Sequence, residues 1–68
     1  MIKVRNKLTY HRLRNVLSQR DVAEKLGISQ AYYGRLERNP LNMKIGTAMR
    51  LKEILKVDSI EELIDYSQ

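Results

Sequence analysis

The side chains of this 68-residue chain that could do chemistry are mainly cations and amides. Residues 1–20 carry no acid and six cationic side chains: Lys3, Arg5, Lys7, Arg12, Arg14 and Arg20. Residues 57–68 show the opposite pattern, with Asp58, Glu61, Glu62 and Asp65 and no base. One end therefore attracts polyanions and the other repels them, although a solvated surface of mixed charge is the plain alternative.

The sequence offers little to a catalytic or metal site. It has no cysteine and a single histidine, so a disulfide, a thiolate metal site and a multi-histidine site within one chain are excluded. His11 stands in no pattern of Asp, Ser or Cys that would support catalysis, and we expect it to be a partly exposed helix residue. We therefore predict a binding protein that is not an enzyme and takes no cofactor, metal or small-molecule ligand.

Length and apolar content limit which architectures the chain can adopt. Sixty-eight residues favour one domain with a modest core, which a partner subunit would help to stabilise. The first residues contain no long apolar run, so we expect neither a signal peptide nor a membrane span. The expected location is the cytoplasm, at the nucleoid of a bacterial cell or a phage-infected host.

Apolar residues recur at spacings of three and four, and the alternation typical of strands is absent. The sequence therefore predicts an all-α fold of five helices. The predicted segments run roughly from Val4 to Asn15, from Ser18 to Gly27, from Gln30 to Arg38, from Ile45 to Lys56, and from Asp58 or Ser59 to Asp65. In the fourth segment we expect burial of the apolar positions Ile45, Ala48, Leu51, Ile54 and Leu55.

The clearest local signals lie between residues 18 and 38. Ser18 can cap the second helix, Asp21 completes a capping box, and Gly27 can take the left-handed conformation that ends the helix. Two short helices joined by such a turn form a helix-turn-helix layout. The inner residues are expected to be Val22, Leu26, Ile28, Tyr33 and Leu36, which leaves Gln30, Ala31, Tyr32, Gly34 and Arg35 on the outer face.

Two adjoining stretches resemble a known family: SQRDVAEKLGIS at 18–29 and QAYYGRLER at 30–38. They are similar to the phage repressor and Cro family, also called Xre-type regulators. The similarity extends from about Leu8 to Leu63. It implies a single lambda-repressor-like domain over residues 1–68, with the helix-turn-helix at about 19–38, that binds double-stranded DNA.

The resemblance also implies residue roles. Gln30 begins the helix that enters the major groove, where its amide can pair with adenine and the Arg35 guanidinium with guanine. The base-reading set is Gln30, Ala31, Tyr32 and Arg35, and the phosphate-binding set is Gln19, Arg12, Arg38, Asn39, Asn42 and Lys44. A solvated face is the alternative for Gln30 and Tyr32, and a phosphate contact is the alternative for Arg35.

The family places a partly buried ion pair at positions matching Arg12 and Glu37; the alternative is a snorkelling arginine beside an unrelated surface glutamate. The chain departs from the family at Val16, where glycine is usual, so we expect Asn15 to take the left-handed conformation instead. It also departs at Tyr33, which replaces an aliphatic residue and must satisfy a hydroxyl.

One helix reads only about 4–6 base pairs, so we expect a homodimer on a palindromic operator. The preferred function is a Cro-like repressor from a phage or another mobile element. The alternative is an antitoxin that neutralises a toxin and regulates its own operon, although we expect no spare residues for a toxin-wrapping segment. The predicted dimer contact is Val57, Ile60, Leu63 and Ile64, and closure of the monomer core is the alternative for these side chains.

Overall fold

The computed structural model describes residues 6–64, which form helices joined by turns and contain no strand. The elements are α1 (Lys7–Arg14), α2 (Gln19–Leu26), α3 (Gln30–Arg38), a 3-10 turn (Pro40–Asn42), α4 (Ile45–Ile54) and a second 3-10 turn (Ile60–Leu63). The predicted all-α fold is confirmed. The predicted fifth segment forms as the 3-10 turn Ile60–Leu63 and not as an α-helix, since Ser59 provides no side-chain cap and Ile64 is already extended; Asp65 lies outside the described residues.

Capping side chains set where the first three helices begin. Asn6 is extended and its side chain accepts from the Thr9 amide at 3.0 Å, so α1 starts at Lys7. The predicted start at Val4 lies outside the described residues. The capping box of Ser18 and Asp21 forms as predicted, with distances of 3.0 and 2.9 Å. Local hydrogen bonding therefore fixes these ends, as the residue types indicate.

The turn between α2 and α3 brings these helices together. Gly27 ends α2 with a φ of +75°, the left-handed region that favours glycine. Ser29 then caps α3 by accepting from the Tyr32 amide at 3.0 Å. Both features agree with the predicted turn, and α2 packs directly against α3.

The core lies where α2 packs against α3 and α4, and the Ile60–Leu63 turn closes it against α1 and α4. Val22, Tyr33, Leu51 and Leu63 are fully buried there. The predicted burial of Ile45 is wrong, because this side chain is 75% exposed. At 3.6 residues per turn, Ile45 lies about a quarter of a turn from the face that α4 buries.

The junction of α1 and α2 contains a strained residue. Asn15 keeps a φ of −88°, and Val16 takes the left-handed value of +56°, so the predicted role of Asn15 is wrong. The Asn15 side chain explains this, since its Nδ2 donates to the carbonyls of His11 at 2.8 Å and Leu55 at 3.0 Å. Val16 itself is 88% exposed and gains little packing in return.

Replacing Val16 with glycine should therefore stabilise the protein. A left-handed conformation costs a residue with a Cβ roughly 1–2 kcal/mol, so we expect Val16→Gly to raise the free energy of unfolding by about 1 kcal/mol. The measurement is the urea concentration at the midpoint of unfolding, compared at an unchanged slope of the unfolding free energy against urea concentration. Val16→Ala is the matched control, because it keeps a Cβ and should gain less. A midpoint for Val16→Gly at or below that of the parent chain would contradict the strain.

Candidate nucleic-acid interface

The carboxylate of Glu37 connects three helices beside the predicted interface. Arg12 of α1 donates from Nε to Glu37 Oε2 and from Nη2 to Oε1, the latter at 3.4 Å. Thr9 Oγ1 and Gln19 Nε2 also donate to Glu37 Oε1, at 3.1 and 3.0 Å. The side chains of Arg12 and Glu37 are only 11% and 5% exposed, so the two predicted partners meet in a nearly dry environment.

Electrostatics keep this carboxylate charged. Burial alone would raise the pKa of Glu37, but the hydrogen bonds from Arg12 and Gln19, together with the charge of Arg12, hold it below its ordinary value. Beside it, burial and the Glu37 charge raise the pKa of the Tyr33 hydroxyl. That hydroxyl meets no partner at good hydrogen-bond geometry among residues 6–64. Tyr33, which stands where the family has an aliphatic residue, therefore places a polar atom at the edge of the Glu37 network.

The outer face of α3 is exposed along its length. Tyr33, Gly34, Leu36 and Glu37 are buried. The predicted place of Gly34 on the outer face is therefore wrong, and the side chains of Gln19 and Arg38 lie beside it. The four residues predicted to read bases all lie on the solvent side: Gln30, Ala31, Tyr32 and Arg35. Because buried contacts hold the other side of α3, these four side chains project from a fixed helix, which is the arrangement that groove reading requires.

Two of the predicted phosphate ligands converge beside α3. A Cβ added at Gly34 would lie 3.7 Å from Gln19 Oε1 and 3.8 Å from Arg38 Nη1, so both side chains border the same point. Gln19 is the first residue of α2, where unpaired backbone amides and the helix dipole favour an anion. The guanidinium of Arg38 therefore lies close to the Gln19 carboxamide, whose Oε1 faces the same point while its Nε2 donates to Glu37.

The other predicted phosphate ligands divide into two groups. Asn39, Asn42 and Lys44 are exposed in the segment that follows α3. Arg12 is turned inward, and its Nη1 also donates to the carbonyl of Leu17 at 2.9 Å. Three of its five N–H donors thus serve the protein, and a phosphate contact by the remaining two stays a prediction.

A family model described as Helix-turn-helix matches residues 10–61, most of the chain. The chain belongs to this helix-turn-helix family. The match confirms the similarity to Xre- and Cro-type regulators, and it includes the whole of α2, the turn at Gly27 and α3. Helix-turn-helix domains of this kind bind DNA in transcription regulators. A comparison with curated proteins and one with solved structures return no match.

Sequence reasoning missed several side chains that hold this helix-turn-helix in place. Asn6 Nδ2 donates to the backbone carbonyl of Glu37 at 2.6 Å, so the cap of α1 also ties down the end of α3. Arg50 Nη2 donates to the Lys25 carbonyl at 2.9 Å and so satisfies one of the last carbonyls of α2. Asparagine is a favoured cap residue, which is a local signal for Asn6, whereas the partner of Arg50 is visible only in the folded chain.

The four residues predicted to form the dimer contact do not form an exposed apolar patch. Leu63 and Ile64 are 0% and 7% exposed and belong to the core, so their prediction as contact residues is wrong. Val57 and Ile60 are half-buried and pack against the same core. The chain uses all four side chains to close its own interior, as a domain of this size needs to do.

Within residues 6–64 no helix is long and apolar enough to cross a membrane.

Proposed function

We propose that this helix-turn-helix chain is a Cro-like repressor that binds a palindromic operator as a homodimer. The observation that carries the proposal is the exposed outer face of α3, held from behind by the Glu37 network. We infer that α3 lies in the major groove with the Gln30 amide on adenine N6 and N7, the Ala31 methyl on a thymine methyl and the Arg35 guanidinium on guanine O6 and N7. Tyr32, at the edge of this face, contacts a base or the adjoining phosphate.

The phosphate contacts are proposed to hold α3 in register. Arg38 and Gln19 take one phosphate where α2 begins, Arg38 through its guanidinium and Gln19 through its backbone amide and the second hydrogen of its Nε2. Asn39, Asn42 and Lys44 take the backbone beyond the other end of α3, because they are exposed on the segment that leaves that helix. Glu37 contributes indirectly, by fixing the Gln19 amide from the protein side.

Repression in this proposal is steric. Two copies on a twofold site double the number of base pairs that are read, which a single short helix cannot do alone. The bound dimer covers DNA that polymerase requires. We expect the chain to act in the cytoplasm, where that DNA is, and to bind it without a metal, cofactor or small-molecule ligand.

A salt titration tests the proposal. The probe is a duplex enriched from a random pool by the protein itself, with the separated single strand as control. If about six phosphates are engaged, duplex affinity should fall about 10³-fold or more between 50 and 200 mM salt. Failure to enrich any duplex, or an affinity that salt leaves unchanged, would overturn the proposal.

A further inference from the structure

Side chains from one side of α1 reach Glu37 in two different ways. Asn6, the cap of α1, and Thr9 and Arg12 within it stand three residues apart, so they are neighbours along the helix. Thr9 and Arg12 donate to the Glu37 carboxylate. Asn6 Nδ2 donates instead to the Glu37 backbone carbonyl, at 2.6 Å. Asn6 therefore holds the main chain of α3, whereas the other two hold a side chain.

The Glu37 carbonyl lies where the chain leaves α3. It belongs to the last turn, whose carbonyls have no partner within the helix. In a longer helix it would accept from the amide of Leu41, four residues on. α3 instead ends at Arg38, and Pro40, which has no amide hydrogen, begins the 3-10 turn that follows. Asn6 supplies a donor from α1 at this point.

The segment that starts here is the one proposed to reach the DNA backbone. Asn39, Asn42 and Lys44 are exposed along it, and Met43 packs against the core near its far end. Glu37 comes two residues before Asn39, so a hydrogen bond at its carbonyl fixes the place from which the segment departs. Binding groups are effective only when neighbouring contacts hold them in the productive geometry.

We propose that Asn6 is a positioning residue for DNA binding, which directs the segment from Asn39 to Lys44 through the backbone of Glu37. The inference rests on the proposed function. Asn6 acts through its hydrogen bonds to the Thr9 amide and the Glu37 carbonyl, and not through a contact with DNA. The bonds to the Glu37 carboxylate do not involve Asn6, so α3 keeps its place and its outer face when Asn6 is changed.

Replacing Asn6 with serine separates the two roles of this side chain. Serine caps a helix about as well as asparagine, so α1 keeps its start, but the shorter side chain does not reach the Glu37 carbonyl. Asn15→Ser is the matched control. Asn15 Nδ2 also donates to a distant backbone carbonyl, that of Leu55 at 3.0 Å, from the opposite end of α1. Both variants lose one such bond and should lose comparable stability.

We expect Asn6→Ser to bind enriched and scrambled duplexes about fivefold more weakly, within the roughly 2- to 30-fold range for contacts away from a ligand. The slope of log affinity against log salt concentration should fall in magnitude by up to about one unit, because Lys44 is the cation of the segment. Asn15→Ser should keep the affinity and the slope of the parent chain. Circular dichroism checks folding, and Asn6→Thr, another neutral cap, replaces Asn6→Ser if that variant is unfolded.

A double variant shows whether Asn6 acts through the segment. In the Lys44→Ala background, Asn6→Ser should leave the salt slope unchanged and should cost less affinity than it does alone. Additive losses, or identical DNA binding by Asn6→Ser and Asn15→Ser, would overturn the inference. Absence of duplex binding by the parent chain would instead overturn the proposed function.

Discussion

Replacing Glu37 with alanine is expected to lower the free energy of unfolding by about 3–5 kcal/mol, the cost of leaving a buried charge without its partner. The Arg12 guanidinium would remain 11% exposed with no carboxylate beside it, and Thr9 and Gln19 would lose their shared acceptor. A domain of this size is stabilised by only about 3–10 kcal/mol in total. The variant should therefore show a much lower urea midpoint or no folded state at all.

Glu24→Ala is the matched control for this loss. Glu24 lies 3.6 Å from Arg20 in a pair whose side chains are 69% and 76% exposed. Exposed pairs of this spacing contribute about 0.3–0.5 kcal/mol, so this variant should unfold almost like the parent. Equal midpoints for the Glu37 and Glu24 variants would show that the Glu37 network carries no special share of the stability.

Local chemistry made much of the fold predictable. The capping box of Ser18 and Asp21, the Ser29 cap and the left-handed Gly27 depend on neighbours within a few residues, and each forms as predicted. The inward direction of Tyr33 follows from the helical period in the same way. These signals are sufficient to place α2 and α3, the part of the chain that the proposed function uses.

The wrong predictions concern apolar residues whose burial or exposure the helical pattern alone does not decide. Ile45 and Leu63 both fit an apolar helical pattern, yet one is 75% exposed and the other fully buried. The choice depends on which elements pack against them, and the pattern along the chain does not contain that information. An exposed apolar surface was therefore expected at residues 57–64, whereas Leu41, Ile45 and Met49 are among the large apolar side chains that the structure exposes.

The supporting contacts of the site show the same limit. The similarity to Xre-type regulators pointed to Arg12 and Glu37, but periodicity gave no reason to pair residues 25 positions apart. Thr9 and Asn6 were missed as partners of Glu37 because their contacts span 28 and 31 positions. The base-reading face was predictable because it is what remains of α3 after its buried side is assigned.

Removing the side chain of Arg35 is expected to weaken binding to the enriched duplex by about 1–3 kcal/mol, roughly 5- to 150-fold. The reason is that a bidentate contact to guanine would be lost at one position. Enrichment repeated with Arg35→Ala should therefore return the same site with one base pair no longer preferred. Binding to a scrambled duplex should change little.

Lys44→Ala provides the comparison, since Lys44 is also an exposed cation but lies outside α3. Because Lys44 is a proposed phosphate ligand, this variant should bind enriched and scrambled duplexes more weakly to the same extent. The slope of log affinity against log salt concentration should fall in magnitude by about one unit. This contrast separates a cation that reads sequence from one that only attracts the backbone.

The most direct test of the central claim is the affinity of these two variants for both duplexes, measured side by side at one salt concentration. The account predicts that Arg35→Ala reduces the ratio of specific to scrambled binding about 5-fold or more, while Lys44→Ala leaves that ratio unchanged. Equal losses on both duplexes for Arg35→Ala would contradict the claim that the exposed face of α3 reads DNA sequence.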